Sequence, residues 1–196
     1  MMNERLDLSF TVNAQEAYVN AYRDKIHHGL DLDSAGFLKI PEGIEDGLLN
    51  DFVRILISTS AHLKKPVPEV KLIHGWSQPL EGYEQNHELR EIFANAYLDE
   101  NSPHGVIFVS PFYLKAEITH RIMGIKQGFM FPLEFVLAHE DYHIWQFSNQ
   151  YEKTVEDCNV LRTDGLAAWN LTQTEIDANE FANSWIQDQH LKEDIS

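Results

Sequence analysis

Cysteine is nearly missing from this sequence. The single one, Cys158, excludes an internal disulfide and every paired Cys-x-x-Cys metal site, and it favours a reducing compartment over a secreted one. Basic residues are scarce too: 15 lysines and arginines stand against 31 aspartates and glutamates, a formal net charge of −16. That balance argues against nucleic acid, which needs a basic footprint, and against an anionic membrane surface. No stretch approaches the roughly 18 apolar residues of a membrane-spanning helix, and MMNERLDLSFTVNAQEAY at the start holds no apolar run of signal-peptide length. The expectation is a soluble, cytoplasmic protein with no nucleic-acid and no membrane partner; its oligomeric state is not readable from these features. There is also no Pro/Gly/Ser-rich linker, repeat or low-complexity tract to divide the 196 residues, so a single domain is expected over 1–196.

What is present is apolar content of 43%, enough for a core, and one polar cluster inside an apolar helical pattern. In FPLEFVLAHEDYHIWQFSN, residues 131–149, the residues His139, Glu140 and His143 form His-Glu-x-x-His. Histidines four positions apart lie about 40° apart on one helix face, so both imidazoles can reach one ion. Zinc takes imidazole nitrogen, and a catalytic site needs three protein ligands with one position left open. Two ligands are thus visible and a third is owed. Glu140 projects from the same turn off that axis, where it is placed to take a proton from an attacking water rather than to ligate. Pro132 suits a first helical turn, and Phe135, Val136, Leu137, Ala138, Ile144, Trp145 and Phe147 surround the polar residues as in a buried helix.

The missing ligand is found downstream. In TQTEIDANEFANSWIQ, the residues Glu175, Ala178, Asn179, Ala182 and Ile186 share one helix face. The two alanines allow close approach of a second helix, which Glu175 needs if it is to share an ion with the histidines. Asn179, one turn on, is placed to accept the N–H of a ligating histidine. Thr172 and Glu175 also fit a capping box, which would turn the carboxylate back onto its own helix. In that case Glu180, Asp177, Glu152 and Glu156 are the reserves.

His139-Glu140-x-x-His143, followed 32 residues later (175 − 143) by Glu175-x-x-Ala178-Asn179-x-Phe181-Ala182, resembles the gluzincin metallopeptidases, most closely those of the ImmA/IrrE type. The resemblance covers about Val136 to Ala182. It implies zinc bound by His139, His143 and Glu175, with Glu140 as the catalytic base, and a peptide or protein substrate. Asp141 and Tyr142 depart from the family, where Leu and Gly or Ser are frequent, and Asp141 brings a further acid near the ion. No DNA-binding or sensor domain is seen.

The rest of the chain reads as support. Amphipathic helices are expected over Asn13 to His28, ending at Gly29, and from about Glu45 to Leu63, as an N-terminal scaffold within 1–66. Strands are expected over Val67 to Trp76 and Gly105 to Ser110, the latter either as an edge able to pair with an extended peptide or as an ordinary core strand. His87 to Leu98 reads as a short helix, Phe112 to Met130 as loop or broken helix, Val155 to Leu161 as a helix, and Thr172 to His190 as the last one. The expected fold class is α+β, a mainly helical zincin-like domain with a small sheet and a zinc-binding core over 131–190.

Other readings of the same residues remain. A metzincin is excluded by Gln146 and Asn149, where that motif requires Gly and His, and a peptide deformylase lacks its upstream cysteine. Three Glu-x-x-His pairs, Glu84/His87, Glu117/His120 and Glu140/His143, allow a di-iron carboxylate protein, but prolines and glycines interrupt the helices it would need. A non-catalytic, metal-stabilised regulator that captures a peptide is the second hypothesis. His74, His104, His120 and Tyr113 are each candidates for steadying an oxyanion.

Overall fold

Helix α4 (Leu133–Asn149) is the element around which the others are placed. In the computed structural model, which describes residues 12–32, 40–72, 93–99, 102–125 and 131–193, it packs against α2 (Ile44–Leu63), α5 (Tyr151–Asp164), α7 (Gln173–Glu193) and two strands. Its Leu137 and Ala138 are fully buried and Ile144 nearly so. Burying a Leu or Ile side chain is worth about 1.5–3 kcal/mol, which offsets the cost of the polar residues that the same helix carries inside.

The described residues form an α+β fold, mainly helical with a small mixed sheet. Strand order is β1 (Glu69–Leu72), β3 (Ser102–Val109), β2 (Ala94–Asp99). β1 runs parallel to β3, from Glu69 opposite Val106 to Leu72 opposite Val109. β2 runs antiparallel, from Ala94 opposite Val109 to Tyr97 opposite Val106, with an irregularity between Tyr97 and Asp99. The β-branched run that made β3 legible therefore occupies the middle of the sheet. It is not an exposed edge; among the described residues the strand at the end beside α4 is β2.

Some elements differ from the sequence expectation. Residues 94–98 of the expected helix form β2, while its earlier residues, up to Ile92, lie outside the described ones. Alternation is present there, with Ala94 and Ala96 buried and Asn95 and Tyr97 exposed, but alanines carry it too weakly to outweigh helix propensity. The stretch from Phe112 to Met130, expected as loop or broken helix, begins as a regular helix, α3 (Pro111–Met123), and its residues 126–130 lie outside the described ones. Pro111 starts it at a position where its missing N–H costs nothing, and Gly124 ends it in the left-handed conformation.

Helix α1 (Val12–Leu30) runs through Gly29 instead of stopping there. A Cβ at Gly29 would lie 1.8 Å from the Val70 carbonyl oxygen, so the glycine is what lets α1 lie directly against β1. The Tyr22 hydroxyl donates to the Pro68 carbonyl at 2.9 Å across the same contact. A comparable approach fixes α4 to the sheet: Gly105 has φ +83°, and a Cβ there would meet the Ile144 side chain at 2.6 Å. The remaining helices are α5, which is longer than expected, and the single turn α6 (Leu166–Trp169).

Candidate metal centre

His139 and His143 face α7 from successive turns of α4, and Glu175 faces them from the first turn of α7. The approach is close because Ala178 and Ala182, both fully buried, line the α7 side. The Nε2 atoms of His139 and His143 are 2.9 Å apart. Glu175 sets Oε1 at 3.0 Å from His143 Nε2 and Oε2 at 3.4 Å from His139 Nε2. The three candidate ligand atoms lie within 4.8 Å of one another, and they are the group of this kind among the described residues.

The capping alternative for Glu175 resolves by division of labour. Its backbone N–H is received by the Thr172 hydroxyl at 3.4 Å, as in half of a capping box. Its carboxylate does not reach back but turns to the imidazoles. The start of α7 is further tied to α5, since Asp157 accepts both the Thr174 N–H at 3.1 Å and the Thr174 hydroxyl at 2.6 Å.

Electrostatics follow from burial against these contacts. Burial raises the Glu175 carboxyl, but hydrogen bonds and charge from His139 and His143 outweigh it and pull its pKa down to about 2. Burial likewise depresses His143, yet the hydrogen bond to Glu175 and the charges of Glu140 and Glu175 leave it above the ordinary imidazole value. Glu140 is buried beside the pair, and desolvation holds its carboxyl above the usual range despite both histidines. It also accepts a hydrogen bond from the Ala96 backbone of β2.

Asn179 is half-buried, and neither imidazole donates to it. The Nδ1 of His143 is instead engaged by Gln146 Oε1 at 2.7 Å, and the Nδ1 of His139 is buried without a partner among the described residues. Gln146 was not singled out from sequence, although it shares the helix face of the histidines, three residues after His143. Its full burial is the signal, and composition does not reveal that.

Asp141 is also placed differently from the expectation of an acid near the ion. Wholly buried, it turns toward α2, pairing with Lys65 at 2.5 Å and accepting from the hydroxyls of Thr59 at 2.7 Å and Ser60 at 3.0 Å. Of the oxyanion candidates, Tyr113 is buried and donates to the Phe131 carbonyl, His104 is exposed near Glu69, His120 is on α3, and His74 lies outside the described residues. Glu117, half of one di-iron pair, is bound to Arg121 on its own helix, and Glu84/His87 lie outside the described residues. Trp169 sets its ring 6.2 Å from that of His143.

No family model matches the chain, and neither a curated protein nor a solved structure is found to be similar to it. The chemistry must therefore be read from the donor set. Two imidazole nitrogens and one carboxylate are the ligand types that zinc takes in three-ligand sites. Here all three aim at one point, where neutral imidazoles bring at most one proton each against several lone pairs. A divalent cation would satisfy these groups together, so the residues fit such an ion.

Proposed function

We propose that this protein is a zinc-dependent metallopeptidase of the gluzincin type, similar to the ImmA/IrrE enzymes, acting on a peptide or protein. The observation that carries the reading is the convergence of His139, His143 and Glu175 beside a buried Glu140. His139, His143 and Glu175 would hold the metal. When bound, zinc supplies a Lewis acid for the scissile carbonyl and lowers the pKa of water to about 7.

The other steps belong to the chain's own residues. Glu140 takes a proton from the attacking water and returns it to the leaving amine. Desolvation, which raises its carboxyl, brings the base closer to the pH at which it must both accept and release a proton. Strand β2 offers a place for the substrate backbone. The Phe93 carbonyl pairs toward the β3 side, with Ser110, whereas the Ala96 N–H turns to Glu140. By the alternation of an antiparallel pair, the peptide groups of Ala94 and Ala96 face away from β3, at an edge that no other strand among the described residues pairs with. An extended peptide added there would lie beside Glu140.

The test is a substitution that separates chemistry from binding. Glu140→Gln is expected to keep stoichiometric zinc and to lose hydrolysis of a peptide library by at least about 100-fold, the scale of a general base. Zinc-loaded wild type with no turnover, indistinguishable from Glu140→Gln, would favour the second reading, a metal-stabilised regulator that captures a peptide without cutting it. Asp141, the acid that departs from the family pattern, is paired with Lys65.

A further inference from the structure

We propose that Gln146 is a positioning residue for this centre: it sets the tautomer of His143 and joins the two helices that carry the ligands. The proposal rests on the metal-site reading of His139, His143 and Glu175. Gln146 is wholly buried and uses both ends of its amide. One end meets the Thr174 carbonyl at 2.9 Å and the other meets His143 Nδ1 at 2.7 Å. A carbonyl only accepts, so the amide nitrogen faces Thr174 and the amide oxygen faces His143. His143 must then donate from Nδ1. In the neutral imidazole this leaves the Nε2 lone pair directed at His139 Nε2 and Glu175 Oε1, as a metal ligand requires.

The other contact joins the two helices. Thr174 directly precedes Glu175 and is itself held by Asp157 of α5. One chain of hydrogen bonds thus runs from His143 through Gln146 and Thr174 to Asp157, across α4, α7 and α5. Glutamate at position 146 would accept from Nδ1 but not donate to Thr174, and methionine would fill the space while doing neither. His139 shows no comparable device among the described residues: its Nδ1 is buried without a partner there, and its ring meets Phe135, stacked at 5.9 Å, and His143, edge-on at 4.5 Å. The two imidazoles therefore differ: among the described residues it is the Nδ1 of His143 that has a hydrogen-bond partner to set its tautomer.

The experiment is zinc titration of the metal-free full chain as wild type, Gln146→Met and Gln146→Glu, with the His143 tautomer read by nitrogen-15 NMR at alkaline pH. Wild type is expected to show the Nδ1–H form. Gln146→Met should weaken zinc binding about 10- to 100-fold, the usual effect of losing such a partner, and should mix the tautomers. Gln146→Glu should keep the tautomer and recover most of the affinity. A folded Gln146→Met variant that binds zinc like wild type overturns the proposal, as does an equal loss in Gln146→Glu, which keeps the acceptor for Nδ1 and would show that the tautomer does not govern affinity. Should the Met variant not fold, the wild-type tautomer decides by itself, and an Nε2–H form in metal-free protein overturns the proposal. Wild type that binds no zinc overturns the metal-site reading and this inference with it, whereas zinc-binding wild type with an unaffected Met variant removes only the inference.

Discussion

Helix α4 is held on two sides by buried carboxylates, and the two contacts are solved in different ways. Toward α2, Asp141 meets a lysine and two hydroxyls, so the protein brings the compensating charge itself. Toward α7, Glu175 meets two imidazoles, whose charge depends on a proton. The first contact is closed by partners that the chain itself supplies. The second is complete only when a proton or a metal ion occupies it. This difference separates a carboxylate that fastens helices from one that can bind something, and it explains why two acids on neighbouring elements have unrelated roles.

The largest loss is expected on the closed side. Lys65→Met leaves Asp141 buried without its cation and should cost about 3–5 kcal/mol, measured by urea unfolding of the metal-free protein. Zinc affinity of the folded fraction should be unchanged, because Asp141 turns away from the donor atoms.

On the open side, zinc should stabilise wild type by about 4 kcal/mol at a thousand times its dissociation constant. Thermal or urea unfolding with and without zinc measures this. The increment should vanish in Glu175→Gln and His143→Ala, while Lys65→Met should retain it.

Gly105→Ala addresses what both sides share, the seating of α4 on β3. Its Cβ would collide with Ile144 at a backbone angle that favours glycine, so a loss of about 1–3 kcal/mol is expected in denaturant unfolding. Zinc affinity should fall as well, since Ile144 adjoins His143.

The smallest effect is the dependence on pH, and its sign differs between free and zinc-loaded protein. The Glu175 carboxyl is depressed to about 2, so its contribution is present above the ordinary carboxylate range and is lost as pH falls toward that value. His143 is raised, so its contribution is present below the ordinary imidazole pKa and is lost as pH rises through the elevated one. Metal-free protein should therefore lose stability from neutral to mildly alkaline pH. Over the same interval zinc affinity should rise, because the metal displaces the His143 proton. Unfolding curves and zinc titrations at several pH values check the opposite slopes.

Much of this centre was legible in the sequence because it is written in helix periodicity. His139 and His143 are one turn apart, and Glu175 shares its face with two alanines, so the local pattern already fixes which groups can meet. Asp141 was not legible, since its partner Lys65 lies past the end of a different helix and sequence gives no hint of that proximity. Gln146 was missed because an amide is chemically ordinary until both of its ends are seen to be buried and used. Strand β2 was missed for another reason: Ala94 and Ala96 favour helix in isolation, and only pairing to β3 and contact with α4 make them a strand. The start of α3 was readable from Pro111 had it been taken as a first-turn residue rather than a break.

The most direct test of the central claim is the zinc content of purified protein after dialysis against limiting zinc, for wild type and Glu175→Gln together, with folding of both verified by circular dichroism. The account predicts stoichiometric zinc in wild type and little in folded Glu175→Gln. Metal-free wild type, or equal zinc in both proteins, would contradict it.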